Sequence, residues 1–126
     1  MAGNKSYEDL LVWQKAVDLS VAVCGLVRGF PKEEKYGLAS QLARSAVSVP
    51  SNIAEGCARN SPREFLHFLG IVTGSLAEVH TQLVIAQRLD YIDACLYESL
   101  SAAVEEIRKM VNGLKRSINQ REGEYV

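Results

Sequence analysis

Apolar residues recur at alternating steps of three and four along most of the chain, in four stretches divided by short polar breaks. That spacing is the signature of α-helices with one buried stripe, and no strand-like alternation competes with it. The first stretch predicts a helix from Tyr7 to Arg28. Ser6 stands as its N-cap, Glu8 and Asp9 sit in its first turn, and Gly29, Phe30 and Pro31 end it. Two apolar stripes run along this helix: Val12, Ala16, Leu19, Val23, Leu26 and Phe30, and beside them Leu10, Trp13, Val17, Val21, Cys24 and Val27. At 100° per residue they cover roughly 220° of the circumference, more than a one-sided surface helix needs. One bundle core does not absorb both easily.

The second stretch, Glu33 to Ala58, keeps its phase through Leu38, Leu42, Ala46, Val49, Ile53 and Cys57 although Pro50 interrupts it. A mid-helix proline lacks a donor and presses on the carbonyl four residues back, here Ala46, at a cost of about 3 kcal/mol. The unbroken phase predicts one helix kinked at Pro50. Ser61-Pro62-Arg63-Glu64 opens the third helix as a capping box with proline at the first helical position. Phe65, Leu69, Val72, Leu76, Val79, Leu83 and Ala86 carry it to about Leu89. After the turn Asp90-Tyr91-Ile92, Asp93 caps a fourth helix with Leu100, Val104, Ile107, Val111, Leu114 and Ile118 on its stripe.

Connections this short force neighbouring helices to run antiparallel. The expected fold is all-α, an up-down-up-down antiparallel four-helix bundle over residues 7–119. Residues 1–6 are expected to be disordered or extended and residues 120–126 to form a polar tail.

Composition narrows the function classes. The 126 residues suit one domain, and 14 Lys plus Arg against 15 Asp plus Glu leave a net charge of −1. Such balance argues against non-specific nucleic-acid binding by bulk charge and offers little repulsion between copies. Cys24, Cys57 and Cys95 form no CxxC pair and lie in apolar stretches, which reads as reduced core cysteines. With no apolar leader and no uninterrupted span of about 18 apolar residues, the expected location is cytoplasmic, with no membrane partner.

Glu64-Phe65-Leu66-His67 is the E-x-x-H run of di-iron bundles, but such sites need two. The other histidine, His80, has Ala77 where the glutamate belongs, and Glu64 already serves the capping box. No GxSxG turn or phosphate-binding glycine loop occurs. The sequence therefore predicts no catalytic residue, no metal and no cofactor. Gly70 and Gly74 are read as places where another backbone can approach closely.

Two candidate surfaces remain. The helix 1 surplus, taken as Val12, Ala16, Leu19, Val23 and Leu26, reads as an interface between copies. The polar file Gln41, Arg44, Ser48, Ser51 and Glu55 on helix 2 reads as a solvated face or as a polar seam of that interface. The topology gathers Arg59, Arg63, Lys115 and Arg116 at one bundle end, a candidate nucleic-acid contact, with Glu8, Asp9, Glu55 and Glu64 nearby to offset them.

Tyr7-Glu8-Asp9-Leu10-Leu11-Val12-Trp13-Gln14-Lys15-Ala16 resembles the opening of the small bundle proteins of 23S rRNA intervening sequences. The run Arg44-Ser45-Ala46-Val47-Ser48-Val49-Pro50-Ser51-Asn52-Ile53-Ala54-Glu55-Gly56 looks like that family's signature. Arg59, Glu64-Phe65 and Gly74-Ser75-Leu76 continue the likeness, which covers about residues 7–118. The resemblance implies a four-helix subunit assembled as a homopentameric ring and brings no enzymatic activity. A related group, the accessory variability determinants of diversity-generating retroelements, is basic, pentameric and binds nucleic acid and a reverse transcriptase. This chain differs from that group in its nearly neutral charge. The reading is thus a non-catalytic, self-assembling scaffold or adaptor. An RNA- or DNA-binding accessory protein is the alternative, and a metal-dependent bundle enzyme the third.

Overall fold

A computed structural model describes residues 6–124, with side chains described as far as Arg121. Four helices follow in order, α1 (Leu11–Val27), α2 (Leu38–Ala58), α3 (Pro62–Arg88) and α4 (Ala94–Glu124). Each packs on the next, and α1 closes the square against α4. The diagonal pairs do not come into backbone proximity, so the topology is up-down-up-down. Leu42, Ile53, Leu69, Leu76, Leu83 and Ile107 fill the centre and are essentially sealed from water. Of the domain boundaries expected above, 1–5 and 125–126 lie outside the described residues. The fourth helix runs on past Asn119 to Glu124.

Two helix starts differ from expectation, and side chains explain both. Ser6 Oγ accepts from the Glu8 N–H, but it caps only a 3₁₀ turn, Tyr7–Asp9. Leu10 is extended and α1 begins at Leu11. Gln14 Nε2 donates to the Glu8 carbonyl (2.8 Å) and Trp13 leans on Tyr7 (5.4 Å between ring centroids), tying the turn to α1. Likewise Lys32–Glu34 is a 3₁₀ turn, and α2 starts at Leu38 after the non-helical Gly37. Glu34 replaces a cap there, its Oε1 accepting from the Leu38 N–H (3.2 Å).

Glu34 Oε2 accepts from the Tyr91 hydroxyl (2.8 Å), pinning the α3–α4 turn to the start of α2. That bond, with the adjoining carboxylates, holds the Tyr91 phenol above its ordinary range. The sign follows from linkage. The unfolded phenol ionises near its usual value of about 10 while the folded one keeps its proton. The contribution is therefore whole below about pH 10 and is lost as pH rises further. Tyr91→Phe should flatten the alkaline fall in stability, measured as urea midpoints against pH.

The remaining caps are as the spacing predicts, with one difference. Ser61 Oγ accepts from the Glu64 N–H (3.3 Å), but the reciprocal half of the capping box does not form. The Glu64 carboxylate instead lies 3.7 Å from Arg59. Asp93 Oδ1 accepts from the Leu96 N–H (2.8 Å). Asn60 and Asp90 end the preceding helices at φ 56° and 62°, left-handed positions these short polar residues tolerate.

α2 passes unbroken through Pro50. The carbonyl that proline deprives of a partner, Ala46, is answered from the next helix. Ser20 Oγ of α1 donates to it at 2.8 Å and shares the proton with its own Ala16 carbonyl at 3.0 Å. Ser20 is buried, so no water would replace it.

Gly56 sets the separation of α2 and α3. A Cβ there would stand 2.8 Å from Phe68 Cβ and 3.0 Å from the Phe65 ring. Gly56→Ala should cost about 1–3 kcal/mol by overpacking. At Gly70 and Gly74 an added Cβ meets nothing within 4 Å. Alanine there should stabilise an isolated subunit by about 0.5–1 kcal/mol per site. Urea unfolding of the three variants checks the contrast.

Candidate self-association surface

The core takes the first stripe of α1. Val12, Ala16, Leu19 and Val23 are buried inside the subunit, and Leu26 packs half-buried on the same cluster. They face the bundle core, and all but the half-buried Leu26 present nothing to a second copy. This corrects their assignment as an interface. Four helices have enough apolar side chains to enclose that stripe from Val12 to Val23. The stripe they do not enclose is the other one.

Trp13, Val17 and Cys24 are half-buried, and Val21 is 68% exposed. Val21 follows Ser20 and Val47 follows Ala46, the two residues bonded across the α1–α2 seam. In antiparallel helices the residue after each contact turns to the same side. Val21 and Val47 therefore share the flank of the hairpin away from α3 and α4, where Val47 is 44% exposed. Val17, Cys24, Ala43 and Ala54 fall on that flank by the same rotation, all of them half-buried. Between Val17 and Cys24 and between Ala43 and Ala54 the band carries no charge; Arg28, on the same side of α1, lies just beyond it.

The polar file of α2 is used mostly within the subunit. Ser48 Oγ contacts both the Ser45 carbonyl (2.9 Å) and the buried Ser75 hydroxyl of α3. Ser51 Oγ donates to the Val47 carbonyl (2.8 Å), and Glu55 pairs with Arg59 (2.9 Å). Those contacts engage Ser48, Ser51 and Glu55 within the subunit, while Ser51 and Glu55 stay exposed. Arg44 differs, being exposed and without a carboxylate at ion-pair distance among the described residues. With Gln41, Asn52 and Glu78 it borders an open polar groove of about 550 Å³ between α2 and α3.

The four basic residues assigned to one bundle end do not make one patch. Arg59 lies between Glu55 and Glu64 and stacks 5.2 Å above Phe68, so its charge is offset locally. Lys115 Nζ donates to Thr73 Oγ1 (2.8 Å), about three turns into α3 and away from that end. Arg63 and Arg116 are exposed.

His67 lies edge-on to Phe68 and His80 meets the Tyr97 hydroxyl (3.3 Å). Among the described residues no three His, Cys, Asp or Glu converge as a metal would require. Of the cysteines, Cys24 and Cys57 are half-buried, and burial raises the Cys57 thiol above its ordinary range. Cys95 is exposed, contrary to its expected core position, because it sits in the first turn of α4 before the buried stripe begins. α3 is long and apolar enough to cross a membrane by composition alone, yet Leu69, Val72, Leu76, Val79 and Leu83 on it face the bundle core.

Sequence reasoning missed Ser20 and Val47. A lone serine within an apolar run, one helix away from a proline that orphans a carbonyl, was the available signal for Ser20. Val47 had none, since only the helix rotation separates it from Ala46.

The family of 23S rRNA-intervening sequence proteins matches residues 8–113 of the chain. The chain belongs to that family. No curated protein matches it. A crystal structure from Bacteroides thetaiotaomicron, a protein of unknown function from the S23 ribosomal protein family, superposes with a TM-score of 0.78 at 24% identity. The match covers 83% of this chain and 98% of that one. At this identity it establishes the four-helix fold of the intervening-sequence protein and nothing about its role.

Proposed function

We propose that this intervening-sequence protein is a structural subunit that associates with copies of itself through the outer flank of the α1–α2 hairpin, acting as a scaffold rather than as a catalyst. The observation that carries this reading is the pairing of Val21 and Val47, both large, apolar and substantially exposed, on one uncharged flank. Contiguous apolar flanks of this kind mark interaction sites. A net charge of −1 sets little repulsion against bringing copies together. Val21→Asp combined with Val47→Asp tests it. The variant is expected to keep its helical circular dichroism and to elute at the mass of one subunit. Unchanged association in that variant would overturn the assignment of the flank.

A further inference from the structure

The turn between α1 and α2 holds a pocket of about 450 Å³ that meets the hairpin flank at Ala43. Val27, Phe30 and Ala39 form its apolar floor, and Arg28, Lys32 and Lys35 stand around it. No carboxylate lines it. Glu34 is turned toward the Leu38 N–H and the Tyr91 hydroxyl, and Glu33, though in the same turn, is not part of the wall. The three cations make no ion pair among the described residues, Lys35 lying only over the Tyr36 ring (5.5 Å). An apolar hole with an unopposed basic rim selects an apolar side chain flanked by carboxylates.

The chain carries such a segment. After Arg121 it reads Glu122-Gly123-Glu124-Tyr125-Val126, two acids followed by an aromatic and a branched aliphatic residue, with no base among them. It cannot reach the pocket of its own subunit. The pocket adjoins the α3–α4 turn, where Phe30 stacks on Tyr91 at 5.2 Å. The 28 residues of α4 from Ala94 to Arg121 lead away from it over about 42 Å. Five residues span at most about 17 Å even when extended. Only another copy can supply the segment.

We propose that residues 122–126 of one copy dock in the α1–α2 turn pocket of a neighbouring copy, with an apolar residue on the Phe30 floor and the two glutamates toward Arg28, Lys32 and Lys35. The contact joins unlike surfaces, so it propagates from copy to copy and closes into a ring where the rotation permits. It rests on the self-assembly reading and deepens it; the pocket shares Ala43 with the hairpin flank but neither Val21 nor Val47, so changes at those two valines and at the pocket lysines fail separately.

The test uses a labelled peptide of residues 120–126 and full-length protein carrying Val21→Asp and Val47→Asp. Fluorescence anisotropy at low salt should show saturable binding. Binding should weaken by roughly tenfold or more when Lys32→Glu and Lys35→Glu are added, and fall as salt rises. A peptide with both glutamates replaced by lysine should bind the charge-reversed pocket better than the native one. No binding of the native peptide, or binding indifferent to the Lys32→Glu and Lys35→Glu changes, would overturn the proposal. Because the flank is already disrupted in this protein, either outcome is independent of the flank. Arg28→Glu, at an exposed position, repeats the measurement should the double reversal fail to fold.

Discussion

Aspartate at position 23 is expected to unfold the subunit, whereas aspartate at position 21 of the same helix is not. Val23 has no exposed surface, and its neighbours Leu19 and Leu26 belong to the same apolar cluster. An isolated carboxylate there has no partner and loses its water, a penalty of about 4 kcal/mol or more. That is comparable with the whole stability of a small domain, about 5–15 kcal/mol. Val21 is 68% exposed in the subunit, and a charge placed there remains hydrated once copies separate, so its cost to the subunit's own fold should stay within about 0.5 kcal/mol. Thermal and urea melts followed by circular dichroism separate the two. Equal loss in both variants would mean that the two stripes of α1 have been assigned to the wrong faces.

The second large effect is a coupling between helices. Ser20→Ala should destabilise by about 1–3 kcal/mol, because the Ala46 carbonyl is then buried without any donor. Pro50→Ala restores a backbone N–H at position 50, four residues on, where it can bond that same carbonyl. In the Pro50→Ala background the serine should matter little, giving a coupling of about 1–2 kcal/mol in a double-mutant cycle. Strict additivity would show that Ser20 does not substitute for the missing donor. The pairing explains how a proline is accommodated in the interior of a long helix. The cost of about 3 kcal/mol expected from the helix alone is partly offset by a hydroxyl from its neighbour.

Much of this architecture is legible in the chain, for identifiable reasons. The three-four spacing of Leu69, Val72, Leu76 and Val79 survives into the core because a helix has only one way to bury such a stripe. Ser61-Pro62 and Asp93 act as starts where they should, since capping is local chemistry. The starts of α1 and α2 were less legible. There a side chain, Gln14 or Glu34, satisfies backbone groups that periodicity ignores. The candidate interface was half legible. The sequence shows that α1 carries two apolar stripes. Their spacing alone does not say which of them the other helices will cover, because that depends on how α1 is rotated against α2 and α4. The bond from Ser20 to Ala46 fixes the rotation, and it turns Val12 and Val23 inward while leaving Val21 outside. The bonding of the serines on α2 was not legible for a related reason. Serines on a helix are free to bond backward to their own carbonyls, and Ser45, Ser48 and Ser51 all do so.

Two surfaces thus remain for assembly, an apolar flank and a basic pocket, on opposite sides of the question of what the subunit meets. Both readings depend on the chain existing as more than one copy. Light scattering on the unmodified protein, through a dilution series in the micromolar range, addresses this most directly. The expected mass is a whole multiple of the 13.9 kDa subunit that persists on dilution. A single-subunit mass at every concentration would contradict it.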